Sequence, residues 1–369
     1  MLPPMERLSD LTERLRALPK GTAFTRMALA VLGSRGNQPL AAEMARAYDD
    51  TTPLVGQVLK AAVVAGTSDG TGWGTALVDM RAISSEFIGL VQPRTVLGRL
   101  PRVRRAPFNV GVLRNGGRAG AGWIGQGEPI PVGLLSLERL TLGLAKQASL
   151  VVVTTELFRA AGPAGEALLR EELVAGIAAE ADRALLDPTI SATIDHPASL
   201  TSGAPAIAST GSSVAQITAD LAAVAQRMID AGSDLQAAAW ALHPRTALFL
   251  SALRDTAGQL AFPTITVLGG TLLGLPALVS TAVPLTGSPA ITALIALIDG
   301  SRLTVADDQL AIIDWATEAA VQMSDAPSGS ASPMVSLWQN GLGGLRVTRF
   351  LNFEAVDASA CVILTGVSY

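Results

Sequence analysis

Leucines at positions 8, 11, 15 and 18 recur with a 3-4-3 spacing, and Glu6, Arg7, Glu13 and Arg14 fill the face between them. One narrow apolar stripe on a helix results, suited either to a coiled-coil-like seam or to packing on its own domain. Ala-rich runs near 23–33, 38–48 and 53–65 predict more helix, and GTSDGTGWGT (66–75) predicts a linker or extended arm. From 91 to 150 the period changes to two. PFNVGVLR (107–114) sets Phe108, Val110 and Val112 on one face, and LSLERLTLGLAK (135–146) does the same with Leu140, Leu142 and Leu144. Between these predicted strands lie about twenty residues of turn chemistry, NGGRAGAGWIGQGEPIPVG, so the pair reads as an extended hairpin whose long loop is either functional or wrongly assigned.

SLVVVTTEL (149–157) predicts a strand running into a helix start. The next helix, 165–186, carries Leu169, Leu173, Ile177, Ala181 and Leu185, and Asp187-Pro188 ends it. A Ser/Thr/Ala/Gly-rich loop covers 189–212. Helix 213–231 follows, with Val214, Ile217, Leu221, Val224 and Met228 on one face, then a buried strand, AAAWALHP, and a helix at 245–254. Mostly short strands and turns are predicted over 264–325. Strand-like runs kinked at Gly341, Gly343 and Gly344 fill 335–368. The pattern is α+β, without an internal repeat.

Composition sharpens this picture. With 369 residues the chain is long enough for one large or two to three medium domains. Charged residues make up 16%, against about 25% in ordinary domains, and none occurs between Thr256 and Ile298. Pro263, Pro276, Pro284 and Pro289 cut that stretch, so a membrane helix of about 20 apolar residues is not expected. The N-terminus shows no apolar run behind a basic start, so no secretory signal is expected. Extensive protein–protein contact remains as the explanation for so little charge. A net charge of −4 argues against a dedicated nucleic-acid binder.

Catalytic chemistry is hard to find. The lone cysteine, Cys361, lies in a strand-like run (ACVILTGV) that buries it, excludes an intrachain disulfide framework, and fits a reducing compartment. His243, in LHPRT, reads as a turn or cap residue, and His196, in DHPAS, as a loop residue; two histidines do not make a zinc site or a triad. No G-x-S-x-G elbow, Walker loop or dinucleotide fingerprint is present, and LGGTLLG (268–274) leads only into another apolar strand. No catalytic residue, cofactor or metal is expected. One charge pattern stands out. Arg94, Arg99, Arg102, Arg104, Arg105, Arg114 and Arg118 occupy the acid-free span between Glu86 and Glu128, while the 165–186 helix carries Glu166, Glu171, Glu172, Glu180 and Asp182. Three readings stay open: complementarity between subunits, phosphate contact with nucleic acid, or a solvated face.

The order of motifs resembles the major capsid protein family of tailed phages, the Hong Kong phage capsid fold. The residues that carry the resemblance are Trp123-Ile124-Gly125-Gln126-Gly127-Glu128-Pro129-Ile130-Pro131, Ala145-Lys146, Val153 to Leu157, Trp240 to Pro244, Gly270 to Ser280, Leu345-Arg346 and Leu364 to Val367. The resemblance implies a helical, scaffold-like or arm segment at 1–65 and an extended arm at 66–102. It implies an E-loop hairpin at 103–147, a peripheral domain with a long spine helix at 148–212, an axial domain at 213–325, and a return to the peripheral domain at 326–369. The implied function is self-assembly into hexamers and pentamers of an icosahedral head around double-stranded DNA, held non-specifically. Scaffold or prohead protease, portal and decoration proteins are implied partners, with assembly in the host cytoplasm and no membrane.

Trp123, Glu128, Arg104, Arg105, Arg114, Arg118, Glu171 and Glu172 are the expected assembly-interface residues. Some family members crosslink an E-loop lysine to an asparagine with the help of a glutamate. Asn340 falls near the asparagine's place, but the glutamate's place falls near Val347 and 103–145 contains no lysine. Asn340 is therefore a degenerate crosslink position, and no autocatalytic crosslink is expected. An encapsulin-like nanocompartment shell is the alternative within the same fold. A nucleic-acid-binding module using the 94–118 arginines is the alternative outside it.

Overall fold

The computed structural model describes residues 22–34, 38–46, 55, 84–115, 123, 137–154, 156, 163–193, 195–287, 291–324 and 333–369. The leucine seam of 8–18, the 66–75 linker, and Arg118 and Glu128 lie outside the described residues, as does nearly all of the predicted 53–65 helix. The chain divides into two compact units.

The first unit comprises Met1–Gly98, Gln147–Ala181 and Gln309–Phe350. It contains helices α1 (Thr22–Gly33) and α2 (Gln38–Ala45) and a helical stretch at 84–91. Most of the long α3 (Pro163–Leu186) belongs to it as well. Along α3, Leu173, Val174, Ile177, Ala178, Ala181, Leu185 and Leu186 are buried, so the stripe foreseen in the sequence faces inward. Leu173, Val174 and Ile177 share one core with Phe87, Ile88, Val91, Leu345 and Val347. Each such side chain contributes about 1.5–3 kcal/mol by leaving water. In a sheet that falls mostly in this unit, β15 (Leu342–Ala355) lies between β12 (Leu303–Ala316) and β4 (Lys146–Thr154), while β1 (Arg104–Ala106), paired in parallel with 304–306 of β12, belongs to the second unit. A small antiparallel pair joins β13 (Ala320–Gln322) to β14 (Met334–Ser336).

The second unit comprises Arg99–Lys146, Asp182–Asp308 and Leu351–Tyr369. Its eight-stranded sheet runs β5 (Ala206–Ala208), β16 (Cys361–Val367), β11 (Thr292–Asp299), β6 (Ala238–Leu242), β9 (Leu275–Val279), β8 (Gly269–Leu272) and β7 (Ile265–Thr266), with β10 (Leu285–Thr286) added on β11. All five residues of β6 are buried, because the strand is central, parallel to β9 and antiparallel to β11. Trp240 on β6 is fully buried, and its indole N–H donates to the Leu272 carbonyl at 3.0 Å, so the ring's one polar atom is satisfied. Helix α4 (Val214–Asp230) packs Ile217, Leu221, Val224 and Met228 into this core. A capping box of Ser213 and Gln216 starts it. Helix α5 (Pro244–Ala252) starts at His243, as the cap reading of that residue requires. A separate antiparallel pair, β2 (Gly111–Asn115) with β3 (Leu137–Thr141), forms the predicted hairpin.

Two strand expectations shift. The 107–114 run is strand only from Gly111, where β2 begins, and its first four residues form the turn after β1, with Asn109 at φ 58°. The segment 264–325 is not all short strands, since β11 spans eight residues and β12 fourteen. Alternation in β12 is broken at Asp307-Asp308-Gln309, where Gln309 takes φ 56°, so period-two counting hid one long strand.

Candidate assembly interface

Trp123 has no shelter: its relative exposure is 106%, the highest among the exposed large apolar residues. An indole left in water is costly for a monomer and becomes an asset once a partner covers it. The hairpin beneath it is locally determined. In its register Leu113 sits opposite Arg139 and Arg114 opposite Glu138. At its foot the Asn109 amide donates to the Leu142 carbonyl, and β15 fastens the following turn. There the Asn352 side-chain amide donates to the Gly143 carbonyl at 2.8 Å, and the Leu351 amide to the Ala145 carbonyl at 3.0 Å. A two-stranded ribbon is marginal alone, so these bonds define where it leaves the unit.

Arg104 and Arg105 lie exposed on β1, opposite Thr304 and Val305 of β12. Arg114 falls in β2. Glu171 and Glu172 are both exposed on α3. Glu171 is already engaged within the chain: Arg94 grips it through two bonds of 2.6 and 2.9 Å. That fork raises the Arg94 pKa and lowers the Glu171 carboxyl, the hydrogen bond being the main cause in each case. Two more of the seven arginines bond inside the chain, Arg99 to the Val279 carbonyl and Arg102 to Gln236. Asn340 is exposed in a turn after β14, its amide donating to the Ser336 carbonyl, while Val347 is fully buried in β15.

The other residues flagged in the sequence fall into structural roles. His243 Nδ1 accepts the Arg245 amide at 3.1 Å, and burial, then Arg245, lowers its pKa. Cys361 is buried, and its thiol is pushed up to about 12, far from a nucleophile's range. A cavity of about 410 Å³ at the hairpin foot is lined by Leu144, Thr193, His196, Glu354 and Asp357 among others. Asp357 there is held by Arg302 and by the amide and hydroxyl of Ser359, and the His196 ring lies 3.2 Å from the Pro197 carbonyl. Sequence reading passed over Asp220, which is buried on the apolar stripe of α4 and accepts from Ser209, the Thr210 amide and the Thr210 hydroxyl. The signal was available, since an acid between Ile217 and Leu221 at helical spacing needs partners.

Solved structures share this fold. The structure of Mycobacterium phage Ogopogo superposes with a TM-score of 0.52 at 17% identity, covering 73% of this chain and 91% of that one. The capsid of a native GTA particle, computed with C5 symmetry, gives 0.50 at 15% identity, covering 75% and 90%. The fold is thus of the phage-capsid class. The model of the Phage capsid family matches residues 76–366, and the capsid polyprotein of Pseudomonas phage PAJU2 is 32% identical over 367 residues. The chain belongs to the phage capsid family. It aligns over 95% of its own length but spans only 55% of that polyprotein. The family is a structural one, which accords with the lack of catalytic signal in the sequence, and the chain is a virion component.

Proposed function

We propose that the chain is the repeating subunit of a phage head, forming hexamers and pentamers that close an icosahedral shell around double-stranded DNA. The observation that carries this is the family match over residues 76–366, on a fold shared with the capsid of a native GTA particle. In this reading 103–147 is the E-loop, α3 the spine helix, 148–212 with 326–369 the peripheral domain, and 213–325 the axial domain. The segment 1–65 is a scaffold-like or arm element, and 66–102 an extended arm. Trp123 anchors the E-loop on a neighbouring copy, while Arg104, Arg105, Arg114, Arg118, Glu128 and Glu172 set charge register between copies. DNA is held through non-specific charge contact, assembly takes place in the host cytoplasm, and portal, protease or scaffold, and decoration proteins complete the head. Phage relatives weigh against the encapsulin-like compartment.

Electron microscopy of the purified chain, with intact mass of the assembled subunit, tests this. Closed shells of pentamers and hexamers are expected. A protein that remains monomeric across protein concentration and salt overturns it.

A further inference from the structure

Two of the chain's five asparagines, Asn115 and Asn340, are followed by glycine. An asparagine in that position can lose ammonia without an enzyme. The backbone nitrogen of the glycine attacks the asparagine Cγ, the Cγ–Nδ2 bond breaks, and ammonia leaves behind a cyclic succinimide. Water then opens the ring at either carbonyl, giving aspartate or isoaspartate, and neither oxidant nor reductant is consumed. Glycine favours the attack because it has no Cβ to crowd the reacting nitrogen. By sequence the two Asn-Gly pairs are equal. Their local structures are not. Asn340 lies in the turn that joins β14 to β15, where Trp338, Gln339 and Asn340 are all exposed to water. The Leu342 amide fastens this turn by donating to the carbonyl of buried Leu337 at 2.8 Å, whereas the Gly341 amide reaches the Trp338 carbonyl only at 3.3 Å, beyond the usual range of about 2.7–3.2 Å. The nitrogen consumed by the reaction is thus the one the turn holds more weakly. The Asn340 amide donates to the Ser336 carbonyl at 2.8 Å, a bond that water replaces readily at an exposed position. Asn115, by contrast, ends β2, with its backbone paired opposite Leu137 in the ribbon. A ladder position resists the backbone rotation that the attack requires.

We propose that Asn340-Gly341 is a self-modification site, where the chain slowly exchanges a neutral amide for a carboxylate by way of a succinimide. The amide at the degenerate crosslink position then loses its ammonia to its own backbone rather than to a lysine. Both products change the turn. Aspartate adds a negative charge two residues from exposed Trp338. Isoaspartate does so too, and it also routes the backbone through the former side chain, which inserts one extra carbon between Asn340 and Gly341. The reaction leaves the main fastener of the turn intact, because the Leu342 amide takes no part in it.

The test ages full-length wild type and Asn340→Gln in mildly alkaline buffer, folded and in urea, and follows each asparagine by peptide mass spectrometry, with isoaspartate separated from aspartate by chromatography. In the folded chain Asn340 is expected to convert to a mixture of the two acids, at a rate within about threefold of its rate in urea, since only weak bonds restrain it. Asn115 should slow about tenfold or more on folding, because a ladder bond must yield first. Asn109 and Asn352, followed by Val110 and Phe353, should stay intact over the same period. Asn340→Gln keeps the amide but needs a larger ring that closes more slowly. It should remove the main acidic species on isoelectric focusing and leave the melting curve unchanged. An Asn340 that stays intact in the folded chain, or converts no faster than Asn115, overturns the proposal. So does conversion to aspartate without isoaspartate, since direct hydrolysis of the amide gives aspartate alone.

Discussion

His243 shows how much a single position can carry without being catalytic. Its ring nitrogen accepts the amide of Arg245 at the start of α5, which only the neutral ring can do. Burial lowers its pKa in the folded chain, so the unfolded chain binds the proton more readily. Stability from this cap is therefore fully present above the ordinary histidine value of about 6.5 and is lost as pH falls through it toward the folded value. Between pH 7 and 5 the melting temperature of unassembled wild type should drop more than that of His243→Asn, which caps without titrating. Parallel curves for the two would remove the cap explanation. Trp123 belongs at the same scale. Since it touches nothing that keeps the monomer folded, Trp123→Ala should leave the melting temperature within about 1 °C while weakening assembly by about 2 kcal/mol, as for an interface hot spot. Unchanged shell yield and dissociation would show that the indole is not an anchor.

At the scale of elements, Asp220 links α4 to β5 and the turn after it. Asp220→Ala leaves two hydroxyls and one amide without their acceptor, a loss of about 2–3 kcal/mol. Urea unfolding should register that loss as a lower midpoint with the slope unchanged. A midpoint within error of wild type would mean the carboxylate is replaced by water at no cost. This pair of elements also marks where the sequence was and was not readable. The stripe of α4 and the cap before α5 could be read directly, since each is a local pattern of apolar spacing or capping chemistry. The Asp220 cluster joins residues ten or more positions apart, and the Arg94–Glu171 fork joins residues 77 apart, so neither has a local signature. β12 was obscured for the opposite reason: its local pattern is interrupted by Asp307 to Gln309 while the partners that hold it lie far along the chain. Of the interface candidates, the exposure of Trp123 was legible from its glycine-rich surroundings. That Glu171 has a partner in its own chain was not.

For the whole molecule, the question is what holds copies together. An isopeptide bond forms when an uncharged lysine amine attacks an asparagine side-chain amide and ammonia leaves, with a carboxylate taking the proton. The positions that match the crosslinking family members offer the amide alone. Asn340 is exposed and hydrogen-bonded to Ser336, Val347 is buried and carries no base, and no lysine occurs in 103–145. A shell built from it is therefore expected to rest on non-covalent contact, and wild-type particles boiled in sodium dodecyl sulfate should run as a single band at the monomer mass. A ladder of dimers to hexamers would overturn this. The two kinds of contact proposed between copies then separate by salt. Those through Arg104, Arg105 and Glu172 weaken as ionic strength rises, because the Debye length falls from about 10 Å at 0.1 M to about 3 Å at 1 M. A contact through Trp123 is expected not to weaken, since apolar burial survives screening. Particles that stay closed in 1 M salt but open after Trp123→Ala would assign the cohesion to the apolar anchors, and particles that open in salt alone would assign it to the arginines.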